Sequence, residues 1–177
     1  RRRGVPAHQG RTADPSHLIR PLLEMLRLRS GPQDLPAGAQ LAFILTIAYL
    51  AQGLAADRIM EPSNTEPRSL MAIAVQFGAI IALLRLRRLA ERIPQTISAL
   101  AGTGFLIGLL SILLLRQLTP GEPQPELAMA YLGLFLWSLV IDAHIYRHAL
   151  SVNMSMGVLV AVVVFALNFF LLRATFG

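Results

Sequence analysis

The chain has 177 residues, 54% of them hydrophobic and only 15% charged, with a net charge of +6. That leaves too little polar surface to coat a soluble core of this size, so a polytopic membrane protein is the default class. There is no cysteine, which excludes disulfides, thiolate metal sites, iron–sulfur clusters and cysteine nucleophiles.

All 16 basic residues are Arg and none is Lys, a composition typical of GC-rich bacterial genomes. The first 15 residues, RRRGVPAHQGRTADP, read as a disordered basic tail. No apolar stretch follows within the length of a signal peptide, so cleavage and secretion are not expected. Residues 16–38 then form an amphipathic segment with Ile19, Leu22, Leu23 and Leu26 on one face and Arg20, Glu24 and Arg27 opposite. Pro21 suits a first helical turn, and Gly31-Pro32 ends the pattern. The basic face, with Arg29 just beyond it, suits an anionic lipid surface; the leucine face could equally pack on a partner or on the chain's own spans.

Five apolar runs follow, at about 39–56, 69–84, 95–115, 126–146 and 152–172. A helix needs roughly 20 residues to cross the hydrocarbon core, and only helices or closed barrels can satisfy the backbone there. The runs are continuous rather than alternating, so the fold class is all-α, with five transmembrane helices in a domain over 39–177 and an N-terminal interfacial helix. The first two runs are short enough to be re-entrant.

Charge sets the expected orientation. Residues 1–40 carry seven Arg against three acids, and RLRRLAER at 85–92 carries four against one. The segments 57–68 and 116–126 are Pro-containing and mildly acidic. The N-terminus and the loop with Arg85, Arg87 and Arg88 are therefore expected in the cytoplasm of a bacterial inner membrane, and the C-terminus in the periplasm. Topology accounts for the basic charge, so nucleic acid is not an expected partner.

WSLVIDAHIYRHAL at 137–150 is the most polar stretch inside a span. His144 and His148 are one turn apart and share a face, which makes them weak candidates for a metal pair, but a stable site needs further ligands and only His8 and His17 remain. A haem would need axial ligands from opposite sides, and no other span contains His. The simpler expectation places Trp137 and Tyr146 in an interfacial aromatic belt, with Arg147 snorkelling and the His pair among headgroups. Asp142 is the one acid inside a span, a functional hypothesis by default, with Tyr146, Arg147 or His144 as candidate partners. Gln76, Asn153 and Asn168 are further intramembrane polar residues. In the third span Ser98, Gly102, Gly104 and Gly108 form a small-residue face suited to close helix packing.

Three stretches, RLRSGPQDLPAGAQL, ERIPQTISALAGTGFLIGLL and AHIYRHAL, resemble a group of small inner-membrane proteins of Gram-negative bacteria whose five-span plan is similar to that of the broad Yip1-like membrane proteins. That resemblance implies a non-enzymatic protein acting through membrane partners and carries over no site residue. No hydrolase elbow, metalloprotease motif, paired intramembrane aspartates or Walker loop is present.

The expected function is an accessory or assembly subunit of a larger inner-membrane complex, without cofactor, docking on integral membrane partners through the small-residue face and on anionic lipid through its Arg residues. The alternatives are a small transporter or channel, in which Asp142, Gln76 and Asn168 converge on one wet cavity, and a redox subunit ligated by His144 and His148.

Overall fold

The computed structural model describes residues 16–60, 67–119 and 123–177, with side chains from residue 19 onward. The expected tail at 1–15, including His8, lies outside the described residues, as does the side chain of His17. Six helices make up the described chain: α1 (Ser16–Leu26), α2 (Ala39–Met60), α3 (Arg68–Leu86), α4 (Ile93–Leu115), α5 (Pro125–Leu150) and α6 (Met154–Phe176). The last five are long and apolar enough to cross a membrane. At 22 and 19 residues, α2 and α3 reach about 33 and 28 Å, against a hydrocarbon core of about 30 Å. The two shortest apolar runs therefore belong to full spans.

Most spans run past their apolar stretches, because the flanking polar residues stay helical. Asp57, in the last turn of α2, caps the next helix: its carboxylate accepts from the Ser69 backbone N–H at 3.0 Å and from Ser69 Oγ at 2.8 Å, satisfying the start of α3. Pro94 and Pro125 sit in first turns, where no amide proton is needed. Asn153, expected within the membrane, is instead the N-cap of α6, its Oδ1 accepting from Met156 N at 2.9 Å. At its other end α5 is closed by Arg92, whose guanidinium donates to the carbonyls of His148 and Ala149.

The five long helices close into a ring in the order α2, α4, α5, α6, α3 and back to α2. The backbones of α5 and α6 approach closely at Gly157, where any Cβ would overlap the Ala143 carbonyl. The small-residue face of α4 is used inside the chain. Leu22 lies against Gly102, Tyr49 against Gly104 and Gln52 against Gly108, while Ser98 is buried with its hydroxyl bonded to Pro94 O. This corrects the expectation that the stripe is a free docking face. The ring's outer surface is apolar, with Leu113, Leu132, Leu136, Val163 and Phe170 all exposed, as lipid tails require.

The apolar stripe of α1 divides. Leu22 and Met25, at 7% and 0% exposure, pack on the bundle, while Ile19 and Leu23 remain exposed. Four bonds hold the segment that follows: Trp137 Nε1 donates to Leu26 O (3.2 Å), Ser30 Oγ to Pro21 O (2.9 Å), His144 Nε2 to Ser30 O (2.8 Å) and Gln95 Nε2 to Leu35 O (2.9 Å). Behind this segment the ring is filled by Ile80, Leu84, Leu100, Ile141 and Ile145, all buried. The interior of the half nearest α1 is therefore filled, and a smaller cavity of about 280 Å³ on this side, lined by Gln33, Arg92, Gln95, Thr96 and His148, lies at the ends of α4 and α5.

Candidate functional site

The other half holds a partly open cavity of about 350 Å³ to which all five ring helices contribute. Each contributes a stripe at helical spacing: Tyr49, Gln52 and Ala56 on α2, Ser69, Ala72 and Gln76 on α3, and Gly104, Gly108 and Ser111 on α4. The stripe on α5 includes Phe135, Ser138, Asp142 and Tyr146, and that on α6 includes Ala161, Phe165 and Asn168. Intervals of three and four residues return to one face of a helix, so polar residues at these intervals in an apolar span face one another across the ring.

Asp142 stands at the inner end of this space. It is eight residues before the end of α5 at Leu150, about 12 Å at the helical rise, and so lies well inside the span rather than at its edge. Its partner comes from across the ring. Gln76 Nε2 donates to Asp142 Oδ2 at 3.0 Å and to the Tyr146 hydroxyl at 3.3 Å. Neither Arg147 nor His144 pairs with it in the described bonds: the Arg147 guanidinium faces His148 Nε2 at 3.2 Å, and His144 faces Ser30. Asn168 donates from Nδ2 to Ala72 O at 2.9 Å. Its own Oδ1 is buried without a hydrogen-bond partner among the described residues, and so is Gln52 Oε1. Two such orphaned acceptors beside one cavity are unusual, because a buried unpaired polar atom costs on the order of 1–3 kcal/mol.

Compared with protein-family models, with curated proteins and with solved structures, the chain matches none. The site is therefore read from its own residues. Asp142, Gln76 and Asn168 meet on one cavity, as the transporter alternative requires. Asn153 does not join them.

Tyr146 is not a belt residue. It is fully buried and its hydroxyl is bonded inward, because α5 continues a full turn beyond it. Trp137, 43% exposed, sits midway along α5 beneath the end of α1 rather than at a helix end. His144 is also withdrawn from headgroups, at 3% exposure. The His144 and His148 rings are 4.7 Å apart in an edge arrangement, and among the described residues no group of three or more His, Cys, Asp or Glu could hold a metal ion. Arg20, Arg27, Arg29, Arg85, Arg87 and Arg88 are exposed, Arg20 in an ion pair with Glu24 at 3.0 Å.

Among the lining residues that fall outside the sequence expectations are Gln52 and Tyr49. Gln52 is an amide inside a predicted span, the same signal that singles out Gln76. Tyr49 lies one turn before it.

Proposed function

We propose that the protein is a small, non-enzymatic solute carrier or channel of the bacterial inner membrane, with Asp142 at the centre of its binding site. One observation carries this reading. Asp142, Gln76 and Asn168, from three different spans, line a single polar cavity that also holds unpaired acceptors. Buried polar groups of this kind are costly in lipid, and they accompany solute or ion pathways.

The Arg residues at the α1 end support a cytoplasmic assignment of that end. The cavity then belongs to the periplasmic half, with the packed half and α1 closing it from the cytoplasm. Reporter fusions at the C-terminus are expected to be active only in the periplasm.

Reconstitution on a solid-supported membrane, with solute-induced currents recorded over a panel of small ions and amines, tests the function. A current that Asp142→Asn removes supports it. Silence across the panel, or a current that survives the substitution, overturns it.

A second reading, an accessory or assembly subunit of a larger complex, draws on the exposed Arg27, Arg29, Arg85, Arg87 and Arg88 as a docking surface for membrane partners and anionic lipid. The stripe on α4 no longer supports it, since α1 and α2 occupy that face. Stoichiometric co-migrating proteins on a native gel would favour it.

A further inference from the structure

The charge around the cavity is unbalanced, with Asp142 and no basic side chain among the described lining residues. Several donors are spent inside the protein: Gln76 Nε2 on Asp142 and Tyr146, Asn168 Nδ2 on Ala72 O, and Ser69 Oγ on Asp57. Ser138 donates to Phe135 O and Thr103 to Ala99 O, both at 2.7 Å. Three acceptors are left open, Gln52 Oε1, Asn168 Oδ1 and the Asp142 carboxylate, whose described bond uses Oδ2 alone, and the donors left beside them, on Gln52 Nε2, Tyr49, Tyr131 and Ser111, are all uncharged. Among the described residues no Lys, Arg or His lines the space. A carboxylate and spare acceptors with no resident cation call for a positively charged donor.

The rest of the wall limits its size and shape. Phe135 and Phe165 form a ring pair with centroids 5.2 Å apart, with Val164 and Ile107 also on the lining. The cavity's 350 Å³ is far more than a single water occupies, roughly 30 Å³, and matches the lower range of sites for small organic molecules. A bare alkali ion would satisfy the charge and leave the apolar wall wet. An ammonium group on a short apolar body meets both demands. Its N–H groups are donors for Asp142, Gln52 and Asn168, its charge can rest against the tyrosine faces, and its body against the phenylalanines.

We infer that the cavity is a binding site for a small organic cation, a primary ammonium on a short apolar body, with Asp142 as counter-ion and Gln52 and Asn168 as additional acceptors. This rests on the reading that a solute enters the cavity.

Titration calorimetry on the detergent-purified full chain tests it, with n-butylammonium and 2-phenylethylammonium as probes, n-butanol as the uncharged control, and Na⁺ and K⁺ as bare cations. The ammonium probes are expected to bind one per chain and n-butanol not at all. Asp142→Asn should weaken binding by about a hundredfold or more, the loss that follows when one partner of a buried charge pair is removed. Gln52→Leu should weaken it about tenfold, as for one hydrogen bond to a charged group. Should Asp142→Asn fail to fold, Gln52→Leu carries the test, because Gln52 Oε1 holds no partner whose loss would unfold the ring.

Equal binding of n-butanol, unchanged affinity in the folded variants, or no ammonium binding at millimolar concentration overturns the inference. Currents separate it from the functional reading beneath it. Ammonium binding without any current sinks transport and keeps the site, whereas current from protons or alkali ions without ammonium binding keeps transport and sinks the ligand class.

Discussion

Gln76 on α3 holds two turns of α5 with one amide nitrogen, donating to Asp142 at 3.0 Å and to Tyr146 at 3.3 Å. The link runs across the ring between helices that are not sequential in the chain. Gln76→Leu leaves both oxygens without this donor and is expected to cost about 1–3 kcal/mol. Combined with Tyr146→Phe in a double-mutant cycle, it should show a coupling of about 0.5–1.5 kcal/mol, the range found for hydrogen bonds between membrane helices. Unfolding in mixed micelles measures this, and simple additivity would refute the link.

Two glycines should respond differently to one added methyl group. At Gly157 it meets the Ala143 carbonyl, which is backbone, so α5 and α6 must separate. Gly157→Ala is expected to destabilise by about 1–3 kcal/mol, as overpacking does. At Gly108 it meets the Gln52 amide, the mobile end of a long side chain. Gly108→Ala should leave the melting temperature nearly unchanged while altering ligand affinity through Gln52. Equal melting shifts for both would contradict this seam.

Leu28, Arg88 and Ser151 hold left-handed backbone, at φ of 59°, 59° and 53°. Each follows a helix whose carbonyls are closed by the next residue: Arg29 N–H bonds Glu24 O, Leu89 N–H bonds Leu84 O, and Val152 N–H bonds Arg147 O. A side chain in this conformation costs about 1–2 kcal/mol, which glycine avoids at some cost in unfolded-chain entropy. Arg88 is exposed, so Arg88→Gly should raise stability by about 0.5–1 kcal/mol. Leu28 packs against the core, so the same change there should bring no gain. Thermal melts of the two variants decide it.

Trp137 is the one tryptophan of the chain and bonds the carbonyl that ends α1. Its fluorescence therefore reports whether α1 is docked. Met25→Ala empties a fully buried site, a loss of about 2–5 kcal/mol for a well-packed methionine, concentrated at the α1 contact. The emission maximum of Trp137 is expected to shift, and trypsin to cut faster at Arg27 and Arg29. An unchanged spectrum and cleavage rate would mean that Met25 does not hold α1 in place.

The spans are legible in the sequence because about 20 continuous apolar residues leave the chain no other use. Their arrangement is much less so. In lipid both faces of a helix are apolar, so periodicity does not say which face turns inward; only rare polar residues do. Gln76, Asp142 and Asn168 give that signal. Gln52 gives it as well, but a single amide in a short span does not stand out from the scatter of polar residues there. Tyr146 misleads, because an aromatic near an expected helix end reads as a belt residue, and the end falls a turn later than the apolar run does. The small-residue rule finds α4 correctly but cannot tell a partner's helix from the chain's own. Applied to GVLVA, with Gly157 and Ala161 one turn apart and both buried, it finds the seam with α5 too.

The order of helices around the ring differs from their order along the chain. Since α3 stands between α2 and α6, one of its flanks has no neighbour until α6 is synthesised. During biogenesis Gln76 must therefore wait in the bilayer, first without Asp142 and then without the helix that closes the circle. Closure of the ring consequently awaits the 23 residues of α6, and a ribosome stalled before Met154 would leave a four-helix sheaf with its polar interior open to lipid.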